Sequence, residues 1–127
     1  PYHVCPVHSL QLVAKDDIDY RYKQADRRVL DEAFALRDTA DDVLIVRHGL
    51  LTDTSIANIA LWNGCEWHTP AQPLLAGTQR RYLLDTGQIK ETDIPVASLG
   101  NYRHIRLFNA LIPFGEVELP VGQIRMY

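Results

Sequence analysis

Long hydrophobic runs are missing from this chain of 127 residues. No apolar stretch approaches the roughly 20 residues that a membrane-crossing helix needs. The opening residues, PYHVCPVH, have neither the basic region nor the apolar core of a secretory signal. The sequence therefore reads as that of a cytoplasmic protein with no membrane partner. Cysteine is scarce: Cys5 and Cys65 are far apart, and without a secretory signal two such residues are expected to be free thiols rather than a disulfide. Positive charge is not in excess either. The 13 basic and 16 acidic residues leave a net charge of -3, and the arginines are scattered, whereas binding a nucleic-acid backbone needs Lys and Arg clustered on one face. Of the five histidines, His3, His8, His48, His68 and His104, the first two lie close to Cys5, and no further ligand follows them at a metal-binding spacing. Ser55 lacks the Gly-x-Ser-x-Gly setting of a hydrolase nucleophile. Internal repeats, low-complexity segments and linkers are also absent.

What is present fits a globular protein. A hydrophobic fraction of 46% and a charged fraction of 23% are ordinary for a folded domain, and the length suits one core, so residues 1–127 are expected to form a single domain. The first residue, Pro1, admits two explanations. A catalytic amino-terminal proline would call for an apolar strand directly after it, but Pro6 interrupts strand hydrogen bonding. A missing upstream segment is the better expectation.

Hydrophobic periodicity places the elements. Residues 8–14 and 18–23 alternate as strands, the second putting Ile18, Tyr20 and Tyr22 on one face and ending at Lys23. Residues 25–37 change to a helical period, with Val29, Leu30, Ala33, Phe34 and Leu36 as the apolar stripe. A short buried strand over 43–46 and a turn at His48-Gly49 follow. A strand over 59–62 leads through the Asn63-Gly64 hairpin signal into 66–68, with Thr69-Pro70 ending that segment. Residues 77–85 read as a second helix, with Thr78 as its cap and Gly87 beyond its end. Two closing strands, 104–112 and 116–125, flank Pro113-Phe114-Gly115. This mixture of strands and helices with hairpin-length connections predicts an α+β (mixed α/β) fold.

Three motifs stand out against this frame: YRYKQADR around Lys23, LLTDTSIANIALW around Asp53, and LLAGTQR around Thr78. They place an amine at a strand end, a carboxylate in a turn and a glycine at a helix start. Taken singly, Lys23 reads as a surface charge, Asp53 as a turn aspartate and Gly77-Thr78 as an ordinary helix start. Taken together, they offer an amine able to form an imine, an acid able to hold a ring nitrogen protonated, and free amides able to hold a phosphate. Pyridoxal 5'-phosphate chemistry requires those three groups.

In order and spacing the motifs resemble the class IV aminotransferase family, the fold-type IV pyridoxal phosphate enzymes, and within it the 4-amino-4-deoxychorismate lyase-like members. The resemblance runs from about residue 9 to residue 123. It implies the large cofactor-binding domain of the D-amino-acid aminotransferase-like fold, with pyridoxal 5'-phosphate as cofactor, a small-molecule amino substrate and a homodimer. It also implies a small amino-terminal domain, not contained in this chain, that supplies an arginine to the phosphate and closes over the substrate.

Residue by residue, Lys23 corresponds to the Schiff-base lysine, which also moves the proton at the reacting carbon. To be nucleophilic it must be neutral, with a pKa well below the usual value of about 10.4. Asp53 stands where the family has a Glu that pairs with the pyridine nitrogen, one methylene longer, and Thr54, Ser55 and Asn58 continue that cofactor-binding stretch. Leu75 corresponds to the leucine that packs on the ring. Gly77, Thr78 and Gln79 correspond to the phosphate-binding turn, Gln79 replacing the usual hydroxyl residue. Asn109, Ala110 and Leu111, in Phe108-Asn109-Ala110-Leu111-Ile112-Pro113, match a stretch that contacts the substrate carboxylate. The function so implied is formation of 4-aminobenzoate and pyruvate in folate synthesis. A branched-chain or D-amino-acid aminotransferase is the alternative, and a non-catalytic, dimer-forming member a further one.

Overall fold

The computed structural model describes residues 7–15, 27–75 and 77–126. The strand expected over 18–23 lies outside them, as do Lys23, Cys5 and the start of the first predicted helix. Two sheets make up the described fold. The first has the order β3-β2-β1-β9, built from β1 (Leu10–Ala14), β2 (Asp42–Arg47), β3 (Leu50–Leu51) and β9 (Ile124–Arg125). The second has the order β6-β5-β4-β7-β8, built from β4 (Asn58–Trp62), β5 (Trp67–Pro70), β6 (Lys90–Thr92), β7 (His104–Phe108) and β8 (Val117–Pro120).

Parallel neighbours need a crossover, and each of the two α-helices among the described residues provides one. Helix α1 (Arg27–Phe34) lies between β1 and β2, paired parallel from Leu10↔Asp42 to Ala14↔Val46. Helix α2 (Thr78–Asp85) lies between β5 and β6, paired parallel from His68↔Lys90 to Pro70↔Thr92. The remaining pairs are antiparallel except β1 with β9. The β2–β3 turn consists of His48 and Gly49, with φ of 52° and 77°. Two positive φ values in a two-residue loop match the right-handed twist of the strands on either side.

Strand alternation assigns the core. Leu10, Leu12, Leu44 and Val46 from the first sheet meet Ile59, Leu61, Ile105, Leu107, Val117 and Leu119 from the second in one buried cluster. The outward residues of β1 and β2, Val13, Val43 and Ile45, are covered by Leu30 and Ala33 of α1 together with Leu74. On the far side Leu83 of α2 covers Ala60 and Phe108. Period 2 along each strand thus sends one set of side chains between the sheets and the other under a helix. No helix among the described residues is long and apolar enough to cross a membrane.

Several boundaries differ from the sequence reading. Helix α1 ends at Phe34, so Leu36 leaves the expected stripe and is 55% exposed. Strand β5 runs through Thr69 and Pro70 instead of stopping before them. Strand β7 ends at Phe108, where Asn109 turns the chain by accepting the Leu111 and Ile112 N–H groups on its side chain. The stretch expected as one strand over 116–125 is broken after Pro120, which lets Ile124 and Arg125 join the other sheet beside β1.

Candidate functional site

Three loops converge where β4 begins and β7 ends, since Asn58 pairs with Phe108. The first is the 52–57 connection into β4. Its start stays fastened to β2: the Ile45 N–H donates to the Asp53 carbonyl (2.8 Å), and the Thr52 N–H donates to the Ile45 carbonyl (2.9 Å). Thr54 closes the turn on itself, its Oγ1 accepting the Ala57 N–H (3.0 Å) and donating to the Ala57 carbonyl (3.3 Å). Ser55 Oγ donates to Asp42 Oδ1 at 2.8 Å. Both Thr54 and Ser55 are buried, so their hydroxyls hold the loop in shape.

Asp53 has no exposure to solvent. Its Oδ1 accepts from Asn58 Nδ2 (3.0 Å), and its Oδ2 accepts from the backbone N–H groups of Leu74 and Leu75, the latter at 2.8 Å. Burial pushes its pKa from 3.8 to about 6; the donors from Asn58, Leu75 and Leu74 and the charge of Arg80 pull the other way. Asn58 Nδ2 donates also to the Leu75 carbonyl at 3.0 Å. The acid is thereby tied to the second loop, the strap that leads into α2.

That strap ends at Gly77, the N-cap of α2, with φ -78° and no side-chain capping bond. The sequence reading placed the cap one residue later, at Thr78, which instead is the first helical residue and exposed. Gly77 is needed for closeness rather than for its backbone angles: a Cβ there would come within 2.0 Å of Asn58 Oδ1. The first turn of α2 carries no acidic residue. The positive end of its dipole therefore has no acidic side chain in that turn to offset it, an arrangement suited to an anion.

The third loop follows β7. Asn109 Nδ2 donates to the Ile56 carbonyl (3.0 Å), joining this loop to the first one. The Gln79 side chain, at the start of α2, is engaged by this loop. Its Nε2 donates to the carbonyls of Asn109 and Ile112 (2.8 Å for the latter), while its Oε1 accepts the Phe114 N–H at 2.6 Å. Between α2 and this loop lies an open groove of about 420 Å³ lined by Thr78, Gln79, Tyr82, Ala110 and Pro113.

The structure thus gathers Asp53, Thr54, Ser55, Asn58, Leu75, Gly77, Thr78, Gln79 and the 109–111 stretch at one end of the fold. Leu75 is partly buried and packs beside the cluster under α1. Two residues of this region escape a sequence reading. Asp42 is buried and holds Ser55; burial raises its pKa, and bonds from Val43 and Ser55 and the charge of Arg37 oppose the rise. Arg80 Nη2 donates to the Pro70 carbonyl (3.0 Å) and to Glu91 Oε2 (2.6 Å), while its buried Nε has no hydrogen-bond partner. The only sequence signal for Asp42 is an acid placed directly against a buried apolar run.

The residues fit a pyridoxal phosphate. Asp53 is a carboxylate held in place by Asn58 and the Leu74 and Leu75 amides, and a carboxylate is the acceptor that a protonated ring nitrogen calls for. A cation there would also offset the burial that raises its pKa. The uncapped start of α2 suits the phosphate.

Comparison with known proteins bears on the same residues. The sequence profile of the amino-transferase class IV family matches residues 7–119. An uncharacterized protein of Haemophilus influenzae is 40% identical over 103 residues, which are 81% of this chain and 55% of that protein. The crystal structure of a candidate 4-amino-4-deoxychorismate lyase from Haemophilus somnus superposes with a TM-score of 0.80 at 35% identity, covering 88% of this chain and 58% of the other. At 15% identity, where the likeness speaks for the fold alone, an aminotransferase from Brucella abortus bound to its cofactor PLP matches 95% of this chain and 48% of its own, with a TM-score of 0.70. The chain therefore spans a little over half the length of the first two proteins and just under half of the third.

Proposed function

The chain belongs to the class IV aminotransferase family, and on that premise we propose that it holds pyridoxal 5'-phosphate and splits 4-amino-4-deoxychorismate into 4-aminobenzoate and pyruvate. The H. somnus relative bears the name of that activity. The observation that carries the reading is the set of bonds joining Asp53, Asn58 and Leu75, together with the close approach of Gly77 to Asn58, which brings an acid and the start of α2 into one region.

Bound to such a site, the cofactor supplies an electron sink for the carbon that carries the amine. The protein's residues do the rest. Lys23 would hold the cofactor and would serve as the base that takes the proton from that carbon. Asp53 would keep the ring nitrogen protonated, and a cation there would offset the cost of its burial. The α2 amides and the exposed Thr78 hydroxyl would hold the phosphate, and Leu75 would lie against the ring. In the 109–113 loop the Leu111 and Ile112 N–H groups are already taken by Asn109 Oδ1, so the substrate carboxylate meets the Ala110 amide. The active form is a homodimer, in keeping with the exposed Ile56, Tyr82 and Leu111 near the groove; a sedimentation mass of one chain would contradict this.

The second reading, transamination, has support in the shared fold of the B. abortus aminotransferase. Fold alone does not separate the two reactions; dependence on an acceptor does. Incubated with cofactor and 4-amino-4-deoxychorismate but no keto acid, the protein is expected to release 4-aminobenzoate. Turnover that begins only after a keto acid is added would replace the lyase by the transaminase.

A further inference from the structure

We infer that Gln79 is a positioning residue that clamps the 109–114 loop in the shape needed to receive the substrate carboxylate. This deepens the function proposed above and rests on its reading of that loop as the carboxylate contact. All the hydrogen-bonding directions of the Gln79 carboxamide used here end on the backbone of one loop: two carbonyls, of Asn109 and Ile112, face its Nε2, and one N–H, of Phe114, faces its Oε1. That pattern also fixes which end of the amide is nitrogen, because the reverse orientation would set carbonyl against carbonyl. The side chain behaves as a short length of strand, pairing a loop that has no neighbouring strand to pair with.

The loop is held from the opposite side as well. Asn109 Nδ2 reaches the Ile56 carbonyl, and its Oδ1 takes the Leu111 and Ile112 N–H groups. Between these two clamps, Ala110 and Pro113 form one wall of the groove whose other wall is Thr78, Gln79 and Tyr82 of α2. Gln79 therefore spans from the helix start that suits a phosphate to the loop that suits a carboxylate, setting the distance between them. A hydroxyl residue at position 79 has neither the two donors nor the reach to do this. The departure of Gln79 from the family's usual hydroxyl is, on this account, a device for holding the carboxylate loop.

The test uses the whole chain, 4-aminobenzoate as the carboxylate probe and 4-aminobenzamide as its uncharged control. Amide hydrogen exchange and NMR titration are compared for the native protein, Gln79→Thr and Gln79→Glu. Gln79→Glu keeps the size of the side chain but loses both donors. The native protein is expected to bind 4-aminobenzoate, with shifts at Ala110 to Ile112, and to bind the benzamide more weakly. The Phe114 amide in Gln79→Thr, and the Ile112 amide in both variants, should exchange at least about tenfold faster, and in both variants 4-aminobenzoate affinity should fall about tenfold or more, the scale of one to two lost hydrogen bonds. Benzamide binding should change little. Unchanged exchange in the variants would overturn the clamp. Faster exchange with unchanged 4-aminobenzoate affinity, or no binding of the probe by the native protein, would overturn its role in positioning the carboxylate contact. Absence of a covalent cofactor adduct at Lys23, with the loop results as expected, would instead remove the proposed reaction and leave the clamp standing.

Discussion

A carboxylate cut off from solvent must find its donors inside the protein, and among the described residues Asp53 finds three N–H groups, none of them a cation. Three neutral donors do not fully replace water, which is why burial still raises its pKa to about 6. The sign of the consequence follows from proton counting. Between 3.8 and about 6 the folded protein binds the Asp53 proton and the unfolded chain does not, so the stability that Asp53 contributes is full below this window and is lost as pH rises through it. A pKa rise from 3.8 to about 6 corresponds to about 3 kcal/mol. Asp42, also raised by burial, adds to the decline with the same sign. Urea denaturation over this pH range is expected to show a shallower decline in Asp53→Asn than in the native protein, since Asp42 is common to both. Parallel curves would contradict the assignment.

At the scale of elements, the lock between β4 and the start of α2 depends on one missing methyl group. Gly77 has an ordinary φ of -78°, so Gly77→Ala brings no backbone strain and acts only through its Cβ, which would meet Asn58 Oδ1 at 2.0 Å. Asn58 cannot turn away without leaving both Asp53 and the Leu75 carbonyl. A loss of about 2 to 4 kcal/mol is expected, from overpacking and a broken buried hydrogen bond. Thermal denaturation measures it, and a variant as stable as the native protein would show that the lock yields freely. The same region shows what could be read from sequence. His48-Gly49 and Asn63-Gly64 announced their turns because so few residues accept the conformations that tight turns require. The apolar run of β2 announced a buried strand. Strand β6, Lys90-Glu91-Thr92, gave no signal, since it is polar and its only partner, β5, is reached through a helix. The Gln79 clamp was equally hidden, because its partners lie 30 to 35 residues away and are backbone atoms.

For the molecule as a whole, the two sheets share one core and each sends loops to the same end. Asp53 comes from the connection between the sheets, α2 from a crossover in the second, and the 109–113 loop from the end of β7. Sequence motifs named most of these residues, whereas only the fold explains why they meet. The central claim is that this site carries pyridoxal 5'-phosphate on Lys23. It can be tested cleanly, because the chain has just three lysines, Lys15, Lys23 and Lys90, and Lys90 is paired with Glu66 on the surface (2.7 Å). The protein is incubated with pyridoxal 5'-phosphate, reduced with borohydride, digested and mapped by mass spectrometry. The account predicts one stoichiometric adduct on the peptide containing Lys23, absent from Lys23→Ala. An adduct spread over Lys15 and Lys90, or equal labelling in Lys23→Ala, would contradict it.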